Sequence, residues 1–155
     1  MVHAMDKDTG FCLIFALDGQ QFALPLAMVE KVVRAQAISP LPKAPAIVSG
    51  IIDFHGEIVP VMDIRLRLGL PPRPIALSDQ IIIARTPHRP IAFTVEEILD
   101  VAEWRDQDRV PAEAVVAGVE FLGGVLRNQA GMILMYDPGA FFLPEEHQQL
   151  DQLVG

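Results

Sequence analysis

The sequence predicts an all-β fold with a few short helices, built as two small barrels of about five strands each around a shared core. Three observations predict it. Thirteen prolines and eleven glycines cut a chain of 155 residues, 51% of them hydrophobic, into short apolar segments, the pattern of many short strands. Turn dipeptides fall between those segments at hairpin spacing. The segment-and-turn grammar of the first half then recurs in the second, as two related sheets would require.

Phe11–Leu17 and Gln20–Leu24 flank Asp18-Gly19, a type I′ hairpin signal. Pro25 closes the second strand, Leu26–Val29 makes one helical turn, and Lys31–Ala37 is the next strand. Ser39–Pro45 carries three prolines that cannot join a central ladder, so it is a rigid loop. Gly50–Phe54 and Glu57–Met62 form a hairpin around His55-Gly56, with Gly56 able to supply a positive φ. Asp63 stands at a helix N-cap ahead of Ile64–Leu68, and Gly69 ends that turn.

Gln80–Arg85 and Pro90–Val95 flank the loop Thr86–Arg89 as a third hairpin. Glu97–Trp104 is a strand with Ile98, Asp100 and Ala102 on one side and Leu99, Val101 and Glu103 on the other. A short helix is expected over Pro111–Val116, a strand broken by Gly123-Gly124 over Val119–Leu126, and a last strand over Gly131–Tyr136. The tail Leu143–Leu153 reads as a terminal helix. Two local likenesses support a repeat: Val29-Glu30-Lys31-Val32 resembles Val95-Glu96-Glu97-Ile98, and Pro60–Asp63 resembles Leu134–Asp137. The chain is accordingly read as a flexible segment over 1–10, one domain of two barrel subdomains over 11–143, and a helical tail over 144–155.

Composition excludes several classes. A net charge of −8 with scattered Lys and Arg argues against nucleic acid, which needs a basic stripe. The one cysteine, Cys12, lies in an apolar run and reads as a buried small hydrophobe, with a reducing, cytoplasmic setting expected. Asp6 and Asp8 precede the first apolar run and Asp18-Gly19 follows it, unlike a secretory signal. No apolar run approaches the length of a membrane span.

No catalytic constellation stands out. His3, His55, His88 and His147 show no metal-ligand spacing, and no phosphate loop, nucleophile elbow or Cys-x-x-Cys is present in the sequence. Glu96 and Glu97 are adjacent in an extended segment, so their side chains point to opposite faces and cannot share a proton. Asp53 reads as a turn residue beside Gly56, Asp63 as a helix cap, and Trp104 and Tyr136 as core. No enzyme activity, metal or cofactor is expected. Short strands and tight turns without a reactive cluster describe a surface for binding other proteins, through sheet edges or a seam between barrels.

Longer stretches carry a resemblance. Phe22–Arg34, then Leu41-Pro42-Lys43-Ala44-Pro45-Ala46-Ile47-Val48-Ser49-Gly50-Ile51-Ile52, then Asp53-Phe54-His55-Gly56-Glu57-Ile58-Val59-Pro60-Val61-Met62-Asp63-Ile64-Arg65 resemble the CheW family of chemotaxis coupling proteins, with matching order and spacing. Ile91–Val101 resembles its Val-Asp-x-Val segment, with Glu96 for Asp, and Gly131–Asp137 resembles its final strand. The likeness runs from about Phe11 to Leu143. It implies two SH3-like barrels without catalytic activity, acting as an adaptor between a chemoreceptor tip and the regulatory domain of a CheA-type histidine kinase. By position it assigns partner binding to Val29, Lys31, Asp53, Phe54, His55 and Gly56.

The departures fall there as well. Lys31 stands where the family usually has Glu, and Asp53, Phe54 and His55 replace Asn, Leu and Arg. They point to weakened or altered receptor binding. The alternatives are a divergent scaffold for another chemosensory pathway, such as pilus motility, and a small-molecule-binding barrel.

Overall fold

The structure is a computed structural model that describes residues 9–105, 109–110, 122–129 and 131–154. Strand β1 (Thr9–Leu17) turns through Asp18 and Gly19, whose φ angles of 54° and 77° make the type I′ turn, into β2 (Gln20–Pro25). A 3-10 turn, Leu26–Met28, leads to β3 (Val29–Arg34). Strands β4 (Val48–Phe54) and β5 (Glu57–Met62) follow, and then helix α1 (Ile64–Leu68), where the Asp63 carboxylate accepts from the Leu66 N–H at 3.1 Å. Next come β6 (Gln80–Arg85), β7 (Pro90–Val95), β8 (Glu97–Arg105), β9 (Arg109–Val110), β10 (Leu122–Asn128) and β11 (Gly131–Tyr136). A 3-10 turn at Pro138–Ala140 and helix α2 (Pro144–Val154) complete the chain.

Boundaries moved where long-range bonds intervene. Strand β3 runs from Val29 to Arg34 rather than from Lys31 to Ala37; the Ala35 N–H still donates to the Asp79 carbonyl at 3.1 Å, and the chain then leaves β6 for the Ser39 bridge to β4. The helix expected over Pro111–Val116 lies outside the described residues. So does the start of the strand expected from Val119. Within β10 the Gly123-Gly124 break is a bulge between Leu122 and Gly124.

One sheet has the order β8-β1-β2-β11-β10-β9 and the other β3-β6-β7-β5-β4. The repeat is therefore not first half against second half. The first sheet takes its strands from both ends of the chain, the second from the middle, and the two match as a circular permutation. In each, a hairpin lies parallel to the last strand of another hairpin: Phe22 opposite Leu134 in one, Ala92 opposite Val61 in the other. In each, the glycine after a bulge falls at the same place, Gly124 or Gly50. Asp63 and Asp137 then cap the turns that follow.

Neither ladder closes continuously. In the second sheet, the chain beyond β3 returns to β4 through one bridge, Ser39 to Ile51, with bonds of 3.0 and 2.8 Å. In the first, β9 does the equivalent against Val125 and makes the count six strands rather than the expected five. Gly50 makes the Ser39 bridge possible, since a Cβ there would lie 2.3 Å from the Ser39 carbonyl oxygen.

Strict alternation divides the apolar residues among three clusters. Leu13, Phe15 and Leu17 of β1 enter the central core between the sheets, while Cys12 and Ile14 enter the first barrel with Trp104 and Met135. Ile82 and Ala84 of β6 face the central core; Ile81 and Ile83 fill the second barrel with Val59 and Val61. This two-sided burial explains why these strands are apolar at nearly every position. Phe15, Phe22, Phe93, Tyr136 and Phe141 form a linked aromatic cluster with centroids 5.4 to 5.9 Å apart. Each such contact adds about 1 kcal/mol beyond burial. Strand β8 departs from simple alternation because a bulge at Leu99 resets the register. Ile98 therefore packs on the central core and Ala102 on the first barrel, instead of sharing one side.

A charged seam fastens the sheets together. Arg65 of α1 pairs with Glu96, which lies between β7 and β8, and donates to the Pro71 carbonyl at 2.8 Å. Glu96 also accepts the Asp18 N–H at 2.9 Å, so it ties the β1–β2 turn to the crossover between sheets. Arg73 approaches the same carboxylate at 3.5 Å while holding buried Asp79 at 2.7 Å.

Candidate partner-binding surface

The β4–β5 hairpin tip is built by its turn chemistry. His55 and Gly56 have φ of 54° and 82°, a type I′ pair, and the Asp53 carboxylate accepts the Gly56 N–H at 2.8 Å. Asp53 thus stabilises the tip, and His55 occupies a left-handed position that a glycine or asparagine would fill with less strain. The His55 ring meets the Phe54 ring edge-on at 4.3 Å, and Phe54 rests half-buried on the second barrel's cluster. Asp53, His55 and Gly56 are exposed.

Val29 and Lys31 lie on β3, with Glu30 as a bulged residue between them. Val29 packs on the central core and Lys31 is exposed. Lys31 and His55 are not paired: β3 and β4 stand at opposite ends of the ladder order, and among the described residues Lys31 makes no ion pair. The link between the two strands is Arg85, at the end of β6. Its Nη2 donates to Glu30 at 2.7 Å and to Glu57, the first residue of β5, at 3.2 Å. The hydrogen bonds that Arg85 donates to Glu57 and then to Glu30 raise its pKa further above its already high range, so it is a permanent cation. Sequence reasoning missed Arg85, Glu30 and Glu57. The hairpin placed Arg85 at a strand end, but pairing of β3 with β6 between residues 46 or more positions apart leaves no local mark.

Among the described residues, no group of three or more His, Cys, Asp and Glu is placed to hold a metal. Burial above all pushes the Cys12 thiol up to about 11, which keeps it protonated and unreactive. Trp104 and Tyr136 are buried. Asp63 caps α1, and Glu96 sits in the seam rather than in a strand with Glu97.

The CheW-like domain pattern matches residues 12–144. The chain belongs to the CheW-like family. Chemotaxis protein CheW of Rhizobium meliloti is 27% identical over 138 residues, covering 88% of this chain and 89% of that protein. The CheW of Treponema pallidum is 25% identical across 95% of this chain and 91% of its own. In structure, the chain is similar to the scaffolding protein TtCheW of Thermoanaerobacter tengcongensis, with a TM-score of 0.80 at 23% identity over 88% of this chain and 94% of that one. The two SH3-like units expected from the sequence are therefore the CheW arrangement, and the chain is a chemotaxis scaffold of that family. CheW-like proteins work with chemoreceptors and CheA as adaptors rather than as enzymes. Among the described residues, no helix is long and apolar enough to cross a membrane.

Proposed function

We propose that this CheW-family chain is a cytoplasmic adaptor that binds the regulatory domain of a CheA-type histidine kinase and engages a chemoreceptor tip weakly or in altered form. The family match over residues 12–144 carries the adaptor reading. The partner-binding face is Val29, Lys31, Asp53, Phe54, His55 and Gly56, with Arg85 holding β3 and β5 in place behind it. Exposure of Lys31, Asp53, His55 and Gly56 supports that face.

The kinase complex is micromolar, on the order of −8 kcal/mol. Calorimetry against each CheA-type kinase of the same organism tests it, and absence of heat with all of them removes the claim. Arg at an interface is often worth roughly 2 kcal/mol, and His, mostly neutral at pH 7, cannot supply its bidentate fork. Replacing Lys31 by Glu together with His55 by Arg strengthens receptor-tip binding, and because the two side chains are not paired the gain is about the sum of the two single changes. Strong binding by the unmodified chain, or no gain in the double variant, would remove these positions as receptor determinants. These same departures make a divergent scaffold for another chemosensory pathway, such as pilus motility, the alternative to that reading.

A further inference from the structure

Two histidines 59 positions apart in the chain meet at the C-terminal helix. His88 in the β6–β7 turn and His147 on α2 stack with centroids 4.0 Å apart and planes 6° from parallel. His147 is buried, with the Phe142 ring edge-on at 5.4 Å. Buried Arg89 donates from Nε to His147 Nδ1 at 3.4 Å and from Nη2 to the His147 carbonyl at 3.4 Å. Its Nη2 also pairs with Asp151, one turn further along α2, whose carboxylate lies 3.4 Å from His88 Nε2. A second tie joins Arg67 of α1 to Glu146 at 2.5 and 2.6 Å, and Glu146 also accepts the Leu143 N–H at 2.7 Å. Leu150 anchors the helix in the central core.

A guanidinium N–H has no lone pair, so His147 Nδ1 must be the acceptor. The ring is then neutral, with its proton on Nε2. A proton on Nδ1 would abolish the Arg89 bond and set an imidazolium against Arg89 and the stacked His88. Of the carboxylates nearby, Glu146 is engaged by Arg67, and Asp151 is exposed and shared by Arg89 and His88. Neither neutralises a new buried cation.

We propose that His147 is a pH-operated latch: neutral, it holds α2 on the β6–β7 turn through Arg89; protonated, it releases the helix. Burial foremost, and then the His88 and Arg89 charges, hold the His147 pKa below its ordinary value, against the weaker pull of Asp151 and Glu146. A depressed pKa in the docked state means the released helix binds more protons. Docking is therefore strongest above the ordinary imidazole value of about 6.5 and weakens as pH falls through it.

Amide hydrogen exchange on the full chain, corrected for intrinsic pH dependence, tests the latch between about pH 7.5 and about pH 5.5. Protection across Gln148–Val154 falls at least about threefold in acid while Ile81–Ile83 of β6 holds. His147→Gln, which keeps an acceptor but cannot titrate, shows no such fall. No fall in the unmodified chain overturns the proposal. An equal fall in both overturns it too, and assigns the acid sensitivity to Asp151 or Glu146. Should His147→Gln not fold, the His147 ring resonance of the unmodified chain decides. A midpoint below the ordinary value with coincident movement of the Leu150 methyls supports the latch; an ordinary midpoint or silent methyls overturns it.

Discussion

Arg65 and Arg85 each gather two carboxylates, Glu96 with Asp18 in the seam between the sheets, Glu30 with Glu57 at exposed strand ends of the second sheet. Burial separates them. The Arg65 side chain is 11% exposed and that of Arg85 is 48% exposed. Water screens the second cluster, and an exposed pair contributes only about 0–1 kcal/mol. The first is shielded by both sheets, so loss of its cation leaves Glu96 and the Pro71 carbonyl without their main partner. The same chemistry fixes the arrangement of the sheets in one place and shapes a surface for a partner in the other.

The comparison is broken most directly by Arg65→Ala, which lowers stability by about 3 kcal/mol in urea unfolding. A cost no greater than that of Arg85→Ala would show the seam is not structural. Gly50→Ala comes next, at about 2 kcal/mol, because the new methyl strikes the Ser39 backbone that ties β4 back to the end of β3. Gly56→Ala sharpens the contrast. No atom lies within 4 Å of its would-be Cβ, so only the positive φ of 82° opposes it, for about 1 kcal/mol. Thermal melts of the two variants side by side separate crowding from backbone strain, and the reverse order would refute the role given to the Ser39 bridge. Smallest in stability is Arg85→Ala, below about 1 kcal/mol. Its effect appears instead in binding to a CheA-type kinase, measured by calorimetry, and unchanged affinity would detach Arg85 from the partner-binding face.

Local chemistry made much of this fold legible. Asp18-Gly19 announced a type I′ turn because few residues other than Gly, Asn and Asp sit comfortably at positive φ, whereas His55-Gly56 announced only a hairpin, since a histidine at φ 54° is not expected from its own chemistry. Asp63 and Gly69 bounded α1 for equally local reasons, an oxygen within reach of the Leu66 N–H and a glycine in the left-handed region. The apolar runs of β1, β6 and β7 announced strands, and burial on both faces, seen only in the structure, explains why they alternate so little. The six positions named for partner binding came from the resemblance, since nothing in their composition distinguishes a binding loop from a turn.

Residues distant in the chain meet only through the fold. The similarity of Pro60–Asp63 to Leu134–Asp137 was visible, yet it marks a circular permutation in which β11 closes on β2 from the far end of the chain. Period and turn type say nothing about which hairpins lie parallel. That choice follows from packing Phe15, Phe22, Phe93, Tyr136 and Phe141 into one core. The Leu99 bulge reversed the faces of β8 because its register is set by β1, not by its own alternation. His88 and His147 looked like unrelated residues until α2 docked on the β6–β7 turn. The residues by themselves therefore determined the strands, turns and caps, whose energies depend on neighbours a few positions away. The pairing of sheets, the buried charges and the stacked histidines arise only when the central core closes and brings distant groups out of water together.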